Sequence, residues 1–190
     1  QLERWPGQWT PVSVDLFAVL DLAMSVARMS DGAFDPTVGP LVALWREARR
    51  TGRMPPGDSL TTARSRVGWR MLELDSARRS VRLAKPGMRI DLGGIAKGYI
   101  LQEALAVLRR HGVRRALVEA GGDVVVGDAP PGRAGWSIDM PGADSALRAR
   151  AATLTNFAVA TSGASEQFVE IDGVRYSHVV DPRTGLGVTA

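Results

Sequence analysis

The sequence has no cysteine, which excludes disulfide bonds, thiolate metal sites and cysteine nucleophiles. Its two histidines argue against a zinc site built mainly on imidazole. No apolar run approaches the roughly 20 residues that a membrane-spanning helix needs. Aromatic residues make up only 6% of the chain, so no platform for stacking nucleic-acid bases is evident.

What is present is the composition of a globular protein with a modest positive charge. A chain of 190 residues is long enough for one domain with a buried core. Lys and Arg total 24 against 20 Asp and Glu, a net charge of +4, but no basic run exceeds two residues. A nucleic-acid-binding arm usually clusters its charge, so this excess indicates a solvated, arginine-rich surface. We therefore expect no nucleic-acid partner.

Apolar residues at helical spacing, together with end signals, predict helices in both halves of the chain. In the last of these, Ile100, Ala104, Leu105 and Leu108 share one face, and Gly112 follows as a stop signal. The predicted helices run from a Ser13 cap to about Met29, and over Leu41–Arg50, Ser59–Arg66 and Ala96–His111.

Short β-type segments lie mainly in the second half of the chain. Asp172-Gly173 separates two of them, Phe168–Ile171 and Val174–Tyr176, and is a strong hairpin signal. Mixed strands and helices without strict alternation predict an α+β fold, with mixed or antiparallel sheet elements and packed helices. The other predicted strands are Arg70–Leu74, Ser80–Ala84, Met88–Leu92, Ala116–Ala120, Val124–Val126 and Trp136–Met140.

Four loops combine glycine with a carboxylate at the end of a strand or beside a helix. Glycine permits close backbone approach, and a helix N-terminus attracts phosphate. The second loop runs into a predicted helix with Lys97 in its first turn, which is the layout of a phosphate site. Any one such loop is more often an ordinary tight turn, and none matches a Walker or Gly-x-Gly-x-x-Gly motif. The loops are 31–35, 91–94, 121–123 and 181–185.

The two histidines differ in their surroundings. His111 precedes Gly112 at a helix end and is typical of a C-terminal dipole partner. His178 lies among strand residues, where a lone histidine is more often a packing residue than a catalyst. Thr161-Ser162-Gly163 could offer hydroxyls to a ligand or simply form a turn. Composition and spacing thus predict a phosphate-bearing ligand but no particular reaction.

Taken in order, however, the loops resemble those of the ApbE-type flavin transferases, the FAD:protein FMN transferases. The matching segments are co-linear and span most of the chain, which makes the set far more specific than any single loop. They are Asp31–Pro40 (DGAFDPTVGP), Asp91–Tyr99 (DLGGIAKGY), Ala120–Asp123 (AGGD), Ala160–Gly163 (ATSG) and Tyr176–Gly185 (YSHVVDPRTG).

The resemblance implies a magnesium-dependent transfer with FAD as the substrate. A Thr or Ser hydroxyl of an acceptor flavoprotein would attack the flavin-side phosphorus, AMP would leave, and FMN would stay attached through a phosphoester. Such chemistry needs positioning, a cation and a base for the hydroxyl. By similarity, FAD would be contacted by Ala33, Phe34, Asp35, Asp91, Lys97 and Val180.

The resemblance also assigns the metal and the base. Gly94 stands where relatives offer an oxygen to the metal, and only its carbonyl could serve, which suits a hard cation. His178 is the candidate general base, since it alone in the set titrates near neutrality. Asp181 would either orient His178 or shape its turn, and the sequence leaves both roles open.

Family members are considerably longer than this sequence. We expect residues 1–190 to be a single flavin-transferase domain that lacks N-terminal and C-terminal segments of the full family domain, including further metal ligands. Many members are exported and lipid-anchored, so membrane association through an anchor upstream of Gln1 is an expectation, and the compartment stays open. The alternatives are an FAD pyrophosphatase and a non-catalytic FAD-binding module.

Overall fold

The computed structural model describes residues 2–140, 150–160 and 167–189. The chain divides into two compact units, the first comprising residues 1–94 and 163–190 and the second residues 95–162. In the described residues every strand ladder is antiparallel. The predicted α+β fold is confirmed, and the prediction of one flavin-transferase domain stays a prediction.

The described elements are short and mostly follow the predicted segments. The helices are α1 Val14–Met29, α2 Gly39–Thr51, α3 Gly57–Arg64 and α4 Ala96–Arg110. The strands are β1 Thr10–Pro11, β2 Leu72–Asp75, β3 Ser80–Leu83, β4 Leu117–Ala120, β5 Asp123–Val126, β6 Trp136–Met140, β7 Arg150–Leu154, β8 Phe157–Val159, β9 Phe168–Ile171, β10 Val174–Val180 and β11 Gly187–Thr189.

Helix α1 and the sheet β1-β3-β2 form one core of the first unit. The Ser13 hydroxyl accepts the Leu16 N–H at 3.2 Å, so the predicted N-terminal cap is present. Leu20 on α1 and Val81 on β3 are fully buried in this core. The apolar stripe that predicted the helix is therefore also the surface that fixes it to the sheet.

Helices α2 and α3 and the sheet β11-β10-β9 form a second core in the same unit. Asp172 (φ 51°) and Gly173 (φ 76°) both have positive φ, as a two-residue hairpin turn between β9 and β10 requires. Trp45 on α2 is 2% exposed and its ring lies 5.0 Å from that of Tyr176 on β10. Its indole N–H also donates to the Gly185 carbonyl at 2.9 Å, which joins α2 to the loop after β10.

The second unit pairs α4 with the sheet β4-β5-β8, and β6 pairs with β7 in a separate ladder. Leu101 and Leu105 of α4 pack with Val125 of β5 as the core of this unit. The predicted helix is therefore confirmed, but its predicted face is wrong in part. Ile100 is 61% exposed, because the helix is rotated to bury Leu101 in its place.

The predicted strand over Met88–Leu92 is wrong. In this segment only Arg89 forms a bridge, an isolated parallel one to Val38. Met88 is buried in the α1 core, so its side chain packs without a continuous ladder. The short apolar run reflects burial rather than strand pairing. No helix within the described ranges is long and apolar enough to cross a membrane.

The Trp45–Gly185 hydrogen bond gives a stability prediction. Trp45→Phe keeps an aromatic ring in the core but leaves the Gly185 carbonyl without its indole donor. We expect the free energy of unfolding to fall by about 1–3 kcal/mol, measured by urea denaturation. Trp5→Phe is the matched control, because Trp5 is 55% exposed, and it should change stability by less than about 0.5 kcal/mol. Equal stability of both variants would contradict this role for Trp45.

Candidate functional site

Three of the four glycine–carboxylate loops lie in the first unit, and two contacts join them. The Arg183 guanidinium donates to the Asp31 carbonyl at 3.3 Å, which connects loop 181–185 to loop 31–35. A Cβ placed on Gly94 would lie 3.3 Å from the Phe34 ring, so loop 91–94 also contacts loop 31–35. The fold therefore brings together residues that are 152 positions apart in the chain.

Loop 31–35 is held by a buried carboxylate. Asp35 is 5% exposed and accepts hydrogen bonds from the Thr37 N–H at 2.7 Å, the Thr37 hydroxyl at 2.6 Å and the Trp69 N–H at 2.8 Å. The Thr37 hydroxyl in turn accepts the Gly68 N–H at 2.8 Å. These bonds tie the loop to the segment before β2. Flavin contact by Asp35 stays a prediction, and what the structure gives it is a positioning role.

The neighbouring residues of this loop are more accessible. Ala33 is exposed and Phe34 is half-buried. Gly32 has φ 78°, and a Cβ on it would lie 2.9 Å from the Trp69 indole nitrogen, so the loop needs glycine there. Ala33 and Phe34 thus form the part of the loop that a ligand could reach.

Loop 91–94 is anchored to α2. One Asp91 carboxylate oxygen accepts the Gly93 N–H at 2.9 Å, and the other pairs with Arg46 at 3.3 Å. The first bond folds the loop back on itself, and the second attaches it to the helix. This Asp91 side chain is only 20% exposed, and its contact with FAD stays a prediction.

The Asp181 carboxylate shapes the turn after β10. It accepts the Arg183 N–H at 2.8 Å and the Thr184 hydroxyl at 3.2 Å. Of the two roles that the sequence left open, the hydrogen bonds of Asp181 support the turn-shaping one; its catalytic role stays a prediction. Val180 is buried in the core against α2, and its contact with FAD likewise stays a prediction.

His178 is half-buried on β10 near the turn. Its backbone N–H donates to the Gln167 carbonyl at 2.9 Å, and its ring Nδ1 lies 3.2 Å from the same oxygen. The ring is therefore held through Nδ1, and the role of His178 as a general base stays a prediction.

The second unit contains Lys97 and loop 121–123. The Lys97 ammonium lies 2.8 Å from the Asp123 carboxylate and 3.5 Å from the Gly121 carbonyl. Asp123 is 8% exposed, so the lysine neutralises a largely buried charge. FAD contact by Lys97 stays a prediction, and the 161–163 segment lies outside the described residues.

The donors for a magnesium ion are incomplete in the described part of the chain. Gly94 offers one carbonyl oxygen, whereas a hard cation takes several oxygen ligands. Across residues 2–140, 150–160 and 167–189, no group of three or more His, Asp or Glu side chains could hold a metal ion. The described residues alone therefore do not complete a magnesium site, and magnesium binding stays a prediction.

The sequence did not single out three residues that the structure places in contact with predicted site residues or with their loops. Asp123 belongs to a quoted motif, but nothing in its spacing signals the Lys97 pair. Arg183 is also in a motif, and its contact with loop 31–35 depends on the tertiary fold. Gln167 could have been found, because counting outward from the two-residue turn places it opposite His178.

The Asp35 network gives a second stability prediction. Asp35→Asn keeps the shape of the side chain but turns one acceptor into a donor that faces an N–H or O–H group. We expect a loss of about 2–3 kcal/mol in the free energy of unfolding. Asp21→Asn, on the exposed face of α1, should lie within about 0.5 kcal/mol of the parent. An Asp35→Asn protein as stable as the Asp21→Asn control would refute the network.

Comparison with known proteins identifies the family. The sequence model of the ApbE family matches residues 1–190 of this chain. A FAD:protein FMN transferase of Treponema pallidum (strain Nichols) is 36% identical over 193 residues, covering 93% of this chain and 53% of that protein. Another from Klebsiella pneumoniae (strain 342) is 34% identical over 177 residues, covering 92% of this chain and 54% of that protein. The chain thus spans about half the length of these curated relatives.

Solved structures share the fold. An ApbE protein from Thermotoga maritima has a TM-score of 0.87 and 34% identity, covering 98% of this chain and 61% of that one. The flavin transferase ApbE of Vibrio cholerae has a TM-score of 0.82 and 30% identity, covering 95% of this chain and 58% of that one. The resemblance carried by the loop motifs is thereby confirmed: the chain belongs to the ApbE family.

Proposed function

We propose that the protein acts as a FAD:protein FMN transferase, which moves FMN from FAD to a Thr or Ser hydroxyl of an acceptor flavoprotein. The observation that carries the proposal is the meeting of loops 31–35, 91–94 and 181–185 in one unit that also contains His178. Relatives that bear this enzyme name match over most of the chain and support it.

The proposed reaction is a single phosphoryl transfer. The acceptor oxygen attacks the flavin-side phosphorus of FAD, and a new P–O ester bond forms as the anhydride P–O bond breaks. AMP leaves with the bridging oxygen, and the hydroxyl proton passes to a base. His178 serves as that base through Nε2, because imidazole is the side chain most often used for proton transfer in catalysis and its Nδ1 faces the Gln167 carbonyl.

The loops would position FAD for this attack. Phe34 presents a half-buried aromatic ring beside Gly94, a surface suited to packing against the flavin. Asp35 and Asp91 use their carboxylates to hold their own loops. We assign these two carboxylates to positioning the backbone that meets FAD, and Asp181 to holding the turn beside His178.

Magnesium dependence is part of the proposal through the family resemblance. When bound, the cation would neutralise the charge that develops on the anhydride. Gly94 would contribute its carbonyl oxygen. The described residues supply no cluster of acidic or imidazole ligands around it. Removal of magnesium with EDTA should abolish transfer, and added magnesium should restore it.

The test uses the protein with FAD, magnesium and an acceptor domain that carries a target Thr. We expect the acceptor to gain the mass of one FMN phosphoester and AMP to form in equal amount, measured by intact-mass spectrometry and chromatography. His178→Ala should slow transfer by about 10²–10⁴-fold through loss of the base. His111→Ala removes the other histidine of the chain, at the end of α4, and should leave transfer unchanged.

The other outcomes identify the alternatives. AMP release without a labelled acceptor would contradict the transferase and indicate FAD pyrophosphatase activity. FAD binding without AMP release would indicate a non-catalytic FAD-binding module. An acceptor with the target Thr replaced by Ala should stay unlabelled, which checks that the hydroxyl is the nucleophile.

A further inference from the structure

The carbonyl of Gln167 makes two contacts with the same histidine. It accepts the backbone N–H of His178 at 2.9 Å and lies 3.2 Å from Nδ1 of the ring. A carbonyl oxygen can only accept hydrogen bonds, so the ring contact requires the proton on Nδ1. In the neutral imidazole the other nitrogen, Nε2, then carries the lone pair.

The position of this carbonyl is set by the β9–β10 hairpin. Phe168 pairs with Ser177, and Gln167 follows as the next residue along the ladder, opposite His178. The turn at Asp172-Gly173 fixes that register. A slip by one residue would remove the carbonyl from the ring and turn the His178 side chain to the other face of the sheet.

A second contact holds Gln167 from the helix side. The Arg49 guanidinium on α2 donates to the Gln167 side-chain oxygen at 3.0 Å. Arg49 follows the buried Trp45 by one helical turn, so the same helix face that packs against β10 also reaches the start of β9. The guanidinium therefore restrains Gln167, whose backbone carbonyl contacts His178.

We propose that Gln167 and Arg49 are positioning residues that hold His178 as the Nδ1–H tautomer, with Nε2 as its basic nitrogen. The catalytic meaning of this tautomer rests on the proposed function. The tautomer itself does not, because it follows from the contact between Nδ1 and a backbone carbonyl. It can therefore be measured without substrate.

The first experiment reads the tautomer by ¹H–¹⁵N correlation spectra of the imidazole nitrogens in the 190-residue chain. At about pH 8.5 an ordinary histidine is neutral. The ¹⁵N chemical shifts of its two ring nitrogens then show which of them carries the proton. His111→Gln assigns the signals, because only two histidines are present. We expect His178 to be Nδ1–H. An Nε2–H signal for His178 would overturn the proposal.

The second experiment removes the support from α2. Arg49→Met and Gln167→Leu each delete the Arg49–Gln167 side-chain bond, and we expect both to give a mixture of His178 tautomers. Transfer should fall by about two- to tenfold in kcat, the effect expected for the loss of one exposed hydrogen bond, with KM for FAD little changed. Arg49→Lys keeps a hydrogen-bond donor, so we expect it to retain most of the Nδ1–H tautomer and most of kcat.

Arg50→Met is the matched control, since Arg50 pairs with Glu47 on the exposed side of α2. It should change neither the tautomer nor kcat. The double variant Arg49→Met/Gln167→Leu should be no worse than either single one, because both act through one bond. A pure Nδ1–H tautomer in both single variants would overturn the role of the pair. A normal tautomer in a protein that transfers no FMN would support this inference and refute the proposed function.

Discussion

The candidate site depends on helix α2 being held against the β9–β10 hairpin. Three neighbouring side chains on the helix contact three different segments: the Gly185 carbonyl, the Asp91 carboxylate and the Gln167 side chain. The first contact is buried and therefore the strongest of the three, since an exposed ion pair and an exposed hydrogen bond both compete with water. The buried indole fixes the position of the helix, and this places the two arginines where they can contact Asp91 and Gln167. These side chains are Trp45, Arg46 and Arg49.

The carboxylates of the three motifs in the first unit hold their own loops. Asp35, Asp91 and Asp181 each accept a backbone N–H two residues onward in the chain, which closes a small turn. The same Asp–x–N–H arrangement thus recurs at each loop of the first unit. The acidic side chains thus hold the loops in place, and in the proposed function these loops would present backbone and apolar surface to FAD. In the proposed function, His178 is the residue of the site that would accept the proton of the acceptor hydroxyl.

Much of the fold could be predicted from the sequence because capping residues and turn residues determine where several helices and strands begin and end. Ser13 caps α1, and Asp172-Gly173 sets the hairpin and with it the partner of His178. The sequence predictions were wrong for segments whose structure is determined by tertiary packing. The segment 88–92 is apolar because Met88 enters a core, and α4 is rotated so that Ile100 faces outward. The loops could be recognised together as a motif, but the use of their carboxylates inside the loops follows only from the three-dimensional contacts.

The measurement that tests this account most directly is a crystal structure of the protein with FAD. We expect the flavin to pack against Phe34 and Gly94, and Nε2 of His178 to face the flavin-side phosphorus on the side away from the AMP leaving group, with space between them for the acceptor hydroxyl. The indole of Trp45 should still donate to the Gly185 carbonyl in that complex. FAD bound away from loops 31–35, 91–94 and 181–185, or a complex in which α2 has left these loops, would contradict it.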